Sequence, residues 1–335
     1  MLRWALIAVA LLVAGLGAAG WYSFAVPGQS HSGPLPAFST DERALADRLR
    51  AHVTAIASEP HNLAHPEAMD RAADYIVRML REMGHAPEVQ SFDVEGATAR
   101  NVFVTIDASR GRPVRRSLVV GAHYDSFGEA PGANDNGTGA AAVIELARRL
   151  ARLETADARL ILVLFANEEP PYFRTPHMGS VHFARLLSER KEPVRAMLSL
   201  ETIGFFSDDP GSQQYPKPLA SIFPSTANFV AFVAMPGSRD LLHRALASFR
   251  ETTAFPTIGG VAPDLIPGIG WSDHWAFARE GFEALMVTDT ALFRYPHYHR
   301  PTDTPDKVDY AKLSRITLGI EHVVRALAAG ARPSE

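Results

Sequence analysis

The sequence predicts an α/β protein, a three-layer α/β/α sandwich around a mixed, mostly parallel sheet. Two patterns indicate this class: short apolar runs alternate with helical segments, and acidic or histidine residues directly follow several of those runs. Runs that are apolar on both faces are typical of strands covered by helices on each side. Ligands of such sheets bind beyond the carboxyl ends of the strands, so the polar residues there are candidates for one site.

The composition is that of an ordinary globular protein. The 335 residues are 47% hydrophobic and 21% charged, which is enough apolar material for a sizeable core. The net charge of -4 provides no basic surface for nucleic acid. There is no cysteine, which excludes disulfides, thiolate metal ligands and a cysteine nucleophile.

The N-terminal segment predicts export. No charged side chain occurs between Arg3 and Asp41, and residues 4–26 are mostly apolar. A helix of that length would reach roughly 30–35 Å, about the thickness of a bilayer core. Trp21 and Tyr22 lie near its far end, where interfacial aromatic side chains are favoured. These features favour a transmembrane anchor with the rest of the chain outside the cytoplasm, periplasmic or extracellular.

A cleaved signal peptide remains the alternative, because Ala18-Ala19-Gly20 is a suitable small-residue cleavage site. The protein would then be secreted. In either case we expect residues 1–26 to be the anchor or signal peptide, residues 27–38 to be a linker rich in Pro, Gly and Ser, and residues 39–335 to be the main domain.

Two helices are predicted before the first strand. The first covers residues 40–57, with Ser39 or Thr40 as its cap and acidic residues in its first turn. The second covers residues 66–83, where one apolar stripe repeats at helical spacing and Gly84 marks the end. The residues of this stripe are expected to be core residues without a chemical role.

Strands and helices then alternate along the chain. The predicted elements are a strand at 101–106, a strand at 117–121, a helix at 140–150, a strand at 160–165, a helix at 180–190, strands at 196–200, 229–234 and 284–288, and a helix at 310–329. Residues 207–228 interrupt this pattern, since they are rich in Pro, Ser, Gly and Gln. They predict a long loop beside the site.

Five separate segments carry the residues that could perform chemistry. They are His123 with Asp125, Asp135 in a glycine-rich turn, the pair Glu168-Glu169, Glu201, and His299 close to His297. Two imidazoles and several carboxylates suit two adjacent divalent metals and one general base. The set therefore points to metal-assisted hydrolysis.

Each segment also has a simpler explanation when it is taken alone. His123 could lie in a polar loop, Asp135 could cap a helix, and Glu201 could form a buried salt bridge. Adjoining acids at Glu168 and Glu169 could form a solvated turn, although at the end of a buried strand they would repel each other without cations. Asp125, two residues after His123, could orient the imidazole by accepting its second N–H.

The motifs resemble those of the co-catalytic zinc aminopeptidases, peptidase family M28. The superfamily of these enzymes includes glutamate carboxypeptidases, glutaminyl cyclases and the transferrin-receptor ectodomain. The resemblance runs from about residue 101 to residue 310. The motifs that carry it are GAHYDS, PGANDNGTG, NEEPPYF followed by MGS, SLETIG, GWSDHWAF and YHRPTDTPDKVDY.

The resemblance implies a role for each candidate residue. His123, Asp135 and Glu201 would hold a first zinc ion, and Asp135 would bridge to a second zinc ion held by Glu169 and His299. His299 is implied rather than His297 because the last ligand of the family is a histidine followed four residues later by Asp-Thr. The third ligand is Asp in many members, and Glu201 keeps its charge on a longer side chain. Glu168 would be the general base.

Asp273 and His274 match a position near the substrate in the family. Contact with substrate, support of the site and a buried structural pair are all compatible with the sequence.

The function implied by the resemblance is a zinc exopeptidase that hydrolyses N-terminal peptide bonds of peptide substrates with two Zn²⁺ per chain. A glutaminyl-peptide cyclotransferase with one zinc and a non-catalytic receptor-like domain are the alternatives. The intact GANDNGTG turn and His123 favour the hydrolase over the cyclase, and a receptor-like domain is expected to have lost ligands. A serine hydrolase is disfavoured because Gly-x-Ser-x-Gly does not occur.

Overall fold

The computed structural model describes residues 2–216 and 219–330. Within these residues, eight strands form one mixed sheet with helices on both faces, which confirms the predicted α/β architecture. The strands are β1 Glu88–Val94, β2 Ala97–Ile106, β3 Arg116–His123, β4 Ala158–Phe165, β5 Val194–Glu201, β6 Val230–Ala234, β7 Thr257–Val261 and β8 Ala284–Thr288. The helices are α1 Leu2–Phe24, α2 Thr40–Ile56, α3 Pro66–Glu82, α4 Thr138–Leu150, α5 Gly179–Glu189, α6 Arg239–Thr252, α7 His274–Arg279 and α8 Tyr310–Ala329.

The centre of the sheet is parallel and both flanks contain antiparallel pairs. The strand order is β1-β2-β4-β3-β5-β8-β6-β7. Among the described strands, four of the seven pairings are parallel, and β4, β3, β5 and β8 run in one direction. Because these four strands are neighbours, their carboxyl ends meet at one edge, which is where a site is expected.

Alternate residues of the central strands pack into two different apolar clusters. Leu118 and Val120 of β3 belong to the cluster that includes residues of α2, α4, α6 and α8. Val119 belongs to the opposite cluster, with Phe183 of α5 and Phe277 of α7. Side chains of a strand point alternately to the two faces, so helices on both faces explain why these strands read as continuous apolar runs.

Most predicted elements are confirmed, with shifts of a few residues at their ends. The cap of α2 is Ser39, which accepts from the backbone of Glu42 at 3.1 Å while the Glu42 side chain accepts from the backbone of Ser39. Four elements were not predicted. Strand β1 is polar and largely exposed and β7 contains two glycines, so neither reads as an apolar run. Helix α7 has only six residues, which is too short for a periodic pattern, and α6 carries charged residues at both ends that interrupt its apolar stripe.

The N-terminal helix α1 extends from Leu2 to Phe24. Among the residues that the structure describes, no helix has both the length and the apolar character needed to cross a membrane.

Candidate metal centre

The predicted ligands come together at the carboxyl edge of the parallel strands. His123 and Glu201 are the last residues of β3 and β5. The pair Glu168-Glu169 lies just beyond β4, and Asp135 lies in the turn that precedes α4. The loop that follows β8 brings the remaining predicted ligand, His299, to the same place: its Nε2 lies 3.1 Å from Glu169 Oε2.

Three residues form what we call the first ligand group: His123, Asp135 and Glu201. The Nε2 atom of His123 lies 3.5 Å from Asp135 Oδ1 and 3.5 Å from Glu201 Oε2. All three side chains are buried, and each offers one ligand atom within 4.8 Å of the others. A nitrogen and two carboxylate oxygens at this spacing could surround one metal ion.

A second ligand group consists of Asp135, Glu169 and His299. The Nε2 atom of His299 lies 3.2 Å from Asp135 Oδ2 and 3.1 Å from Glu169 Oε2. Asp135 is therefore shared, with one oxygen toward each histidine. A carboxylate in that position can bridge two cations.

Several ligand atoms are buried without a hydrogen-bond partner among the described residues. They are His123 Nε2, Asp135 Oδ2, Glu169 Oε1 and His299 Nε2. The short distances in the two ligand groups do not meet hydrogen-bond geometry at these atoms, so proximity alone does not satisfy them. Buried polar atoms are normally paired, and imidazole nitrogens with carboxylate oxygens are typical zinc ligands. The residues therefore fit a pair of zinc ions.

The electrostatics of the cluster also favour added positive charge. Burial, reinforced by the charge of Asp135, raises the pKa of Glu169 to about 8. Burial likewise raises the pKa of Glu168 well above its usual range, and His123 opposes this only in part. Burial would lower the pKa of His299, but Asp135 and Glu169 raise it to about 10. Crowded acids of this kind are stabilised by bound cations.

Asp125 holds in place the backbone of residues 168 and 169, just beyond the end of β4. Its Oδ1 accepts from the backbone N–H of Glu168 at 3.0 Å, and its Oδ2 accepts from that of Glu169 at 3.1 Å. The Nδ1 atom of His123 lies 3.1 Å from the backbone carbonyl oxygen of Asp125 and 3.5 Å from its Oδ1. The backbone carbonyl is thus the nearer partner of the imidazole, and the carboxylate chiefly orients the two glutamates.

The turn that carries Asp135 is held by a residue that the sequence did not single out. Asp303 accepts from the backbone N–H groups of Asn134 at 2.9 Å and Asp135 at 3.1 Å, and it also accepts from Tyr295 Oη at 2.6 Å. Gly132 opens the turn with φ of 72°, which favours glycine. The only signal for Asp303 was its place in the Asp-Thr pair that follows His299 by four residues, and the structure shows that its carboxylate holds this turn.

Side chains outside the ligand groups fix the orientation of two ligands. The ring of His299 stacks on Phe127 and on Tyr298, with centroid distances of 4.0 and 3.9 Å. Ser272 Oγ donates to Glu201 Oε2 at 2.7 Å. Such contacts hold ligands in their binding geometry, and neither Phe127 nor Ser272 was predicted.

Glu168 lies beside the ligand groups without belonging to either. Its Oε2 is 3.8 Å from His123 Nε2, and the side chain is nearly buried. Glu169 belongs to the second ligand group, so the two adjoining acids occupy different positions. A carboxylate that lies beside ligand atoms without being a ligand itself is chemically able to exchange a proton with a water molecule.

Asp273 and His274 are both fully buried. His274 Nε2 lies 2.8 Å from the backbone oxygen of Ile269, and burial lowers the pKa of its imidazole to about 4. Burial raises the pKa of Asp273 to about 7. This burial favours a supporting role over substrate contact for the pair, and the contact with substrate stays a prediction.

An apolar cavity of about 150 Å³ opens beside Glu201 and Tyr298. Among the described residues that line it, Glu201 is the only charged one. The apolar lining includes Phe24, Phe223, Ile258, Trp271 and Phe293. The described residues of the predicted loop at 207–228 form no strand or α-helix, and their one helical turn is the 3-10 helix Leu219–Ser221. Tyr215, Leu219 and Phe223 of this segment supply part of the cavity lining.

The sequence matches a known family and a bacterial relative. The model of peptidase family M28 matches residues 101–324. The protein YfbL of Escherichia coli (strain K12) is 32% identical over 294 residues, which cover 84% of this chain and 88% of YfbL.

Solved structures share the fold at low sequence identity. A zinc aminopeptidase from Bacillus subtilis superposes with a TM-score of 0.68 at 14% identity, covering 90% of this chain and 98% of that chain. A glutaminyl cyclase from Fimbriiglobus ruber superposes with a TM-score of 0.61 at 18% identity, covering 89% and 98%. Because both kinds of enzyme share the fold, the activity has to be argued from the site.

Proposed function

The chain belongs to peptidase family M28 and is a zinc metallopeptidase, and we propose that it is an aminopeptidase that removes N-terminal residues from peptides. One observation carries the proposal: two ligand groups share Asp135, and Glu168 Oε2 lies 3.8 Å from His123 Nε2 without joining either group. That arrangement matches the needs of a hydrolase, which must bind metal and also keep one base free for water.

In this proposal two zinc ions bind per chain. His123, Asp135 and Glu201 would hold one, and Asp135, Glu169 and His299 would hold the other. When bound, zinc supplies a Lewis acid for the scissile carbonyl and makes an attacking water more acidic. Glu168 accepts the proton of that water and then donates it to the leaving amine.

The residues around the cavity support action at the amino end of a peptide. The cavity is apolar and adjoins Glu201, so it can receive the side chain of the residue next to the bond that is cleaved. No Lys or Arg occurs among the described residues that line it, and a carboxypeptidase would need such a cation for the terminal carboxylate. These features favour an aminopeptidase over a carboxypeptidase.

A glutaminyl cyclase with one zinc is the second candidate, because an enzyme of that kind shares the fold. The first ligand group argues against it, since a cyclase does not need a histidine at the position of His123. The cavity also disfavours a cyclase, because its apolar lining offers few hydrogen-bond partners for the side-chain amide of a glutamine. The complete set of ligand residues also disfavours a receptor-like domain without activity.

The proposal predicts both the metal content and the substrate. Zinc-loaded protein should hold two zinc ions per chain by elemental analysis, and it should release the N-terminal residue from aminoacyl 4-nitroanilides. The same sample should be tested on carboxypeptidase and glutaminyl substrates. Saturation at one zinc together with cyclisation of N-terminal glutamine would replace the aminopeptidase with the cyclase.

We also propose that residues 1–26 anchor the protein in a membrane, with the catalytic domain outside the cytoplasm. Two features support this proposal: no charge occurs between Arg3 and Asp41, and Trp4, Leu11 and Leu12 of α1 are exposed. We expect the protein in the membrane fraction, with an intact N-terminus by sequencing. A mature chain that begins near Trp21 would convert the anchor into a signal peptide, and full-length protein in the cytosol would contradict export.

A further inference from the structure

The end of the N-terminal helix and the residues that directly follow it are bound to the catalytic domain by two arginines. Arg239 of α6 donates from Nε to the backbone oxygen of Tyr22 at 2.9 Å and from Nη2 to that of Ala25 at 3.3 Å. Arg250 donates from Nη1 to the backbone oxygen of Pro27 at 2.7 Å. The last carbonyl groups of a helix have no partner within the helix, so these bonds fix the position of the end of α1 on the domain.

One glycine in β7, Gly260, allows this close approach. A Cβ atom added to Gly260 would lie 3.0 Å from Phe24 Cδ1 and 3.0 Å from the backbone oxygen of Ser23. The surface of β7 therefore has no side chain where the end of α1 packs, and a larger residue there would displace the helix.

Phe24 points from this helix end into the apolar cavity. It lines the cavity and meets Phe223 edge-on at a centroid distance of 5.4 Å. Phe223 in turn lies 5.7 Å from the ring of Tyr215. We call Phe24, Phe223 and Tyr215 the aromatic wall. Phe24 precedes residue 101, where the match to the family begins, and it is far from the ligand residues in sequence.

We propose that Phe24 determines substrate specificity: the N-terminal helix supplies part of the wall that contacts a large apolar side chain at the N-terminus of the peptide. The inference rests on the proposed aminopeptidase function. The volume supports it, because apolar cavities of about 150 Å³ bind molecules the size of benzene. An aromatic or branched aliphatic side chain would fill such a space, and alanine would leave most of it empty.

Kinetics of full-length variants test this role. For wild type and Phe24→Ala, kcat/KM is measured with phenylalanyl and alanyl 4-nitroanilides. We expect Phe24→Ala to lower the ratio of the two values, phenylalanyl over alanyl, by about tenfold, mainly through KM, because the lost contact is made only by the large side chain. Phe24→Leu should restore most of the ratio. Trp21→Ala, in the same helix but 69% exposed, should change it by less than about twofold.

An equal loss with both substrates would contradict the proposal, since it would mean that Phe24 supports the fold alone. A second experiment does not depend on turnover. Because the chain has no cysteine, Phe24→Cys introduces a single thiol whose reaction with a maleimide can be followed. L-phenylalaninol should slow this reaction and L-alaninol should not, while the thiol of Trp21→Cys should react at the same rate with either.

The two experiments separate the possible failures. If wild type cleaves no aminoacyl substrate, the proposed function fails, and protection of the Phe24→Cys thiol still decides whether the helix end lines an occupied pocket. If wild type cleaves both substrates but L-phenylalaninol gives no protection and Phe24→Ala keeps the wild-type ratio, the inference about Phe24 is wrong and the proposed function stands.

Discussion

Replacing Glu168 with glutamine should lower kcat by about 10²–10⁴-fold while both metals remain bound, because general acid–base help is worth about that much. The amide keeps the shape of the side chain but cannot accept a proton from water. Metal binding should persist because Glu168 belongs to neither ligand group. The backbone should also keep its place, since Asp125 holds the N–H of residue 168 and not its side chain. KM should change little if the metals and the cavity hold the substrate.

The measurement requires kinetics and elemental analysis on the same sample, because a lost zinc would imitate a lost base. Glu168→Asp is a useful comparison, since it retains a carboxylate at a different reach and should recover part of the activity. Full activity of Glu168→Gln with both metals present would contradict the role of base. Loss of one metal would show that Glu168 is a ligand instead.

Three ligand residues, His123, Glu169 and Glu201, were predictable because each one lies at or just beyond the end of a predicted strand. Parallel strands covered on both faces read as unbroken apolar runs, so a charged residue at the end of such a run, like Glu201 after β5, is conspicuous. The resemblance to the family then distinguished His299 from His297. In the structure His299 joins the second ligand group, and His297 Nδ1 pairs with Thr302 Oγ1 at 2.8 Å.

Residues that act through backbone groups were much harder to predict. Asp303 contacts two N–H groups of the turn around Asp135 from 168 positions away, and nothing in its local sequence indicates that distant partner. Phe24 is similar, because an apolar residue at the end of an apolar helix gives no sign that it lines a cavity. Pattern reasoning identifies the chemistry a side chain carries, and long-range packing decides what that side chain touches.

Asp135→Asn is expected to weaken both metal sites together, which no other single ligand change should do. The carboxylate places Oδ1 3.5 Å from His123 Nε2 and Oδ2 3.2 Å from His299 Nε2. An amide has one oxygen and one NH₂ group, so it loses a ligand atom and the negative charge that both cations share. Changes in residues that only support a ligand typically cost about 10–100-fold in metal affinity, so loss of a bridging ligand should exceed about 100-fold at each site.

Glu169→Gln is the matched comparison, because Glu169 belongs to the second ligand group alone. It should weaken one site and leave the other near wild-type affinity. Both variants should fold, since Asp303 holds the turn through the backbone N–H of residue 135 and that contact does not need the carboxylate. Zinc titrations against a competing chelator, with thermal unfolding of the metal-free proteins as the folding control, would measure the two affinities. If Asp135→Asn loses a single metal and keeps the other tightly bound, Asp135 does not bridge, and the two ligand groups would have to act as separate sites.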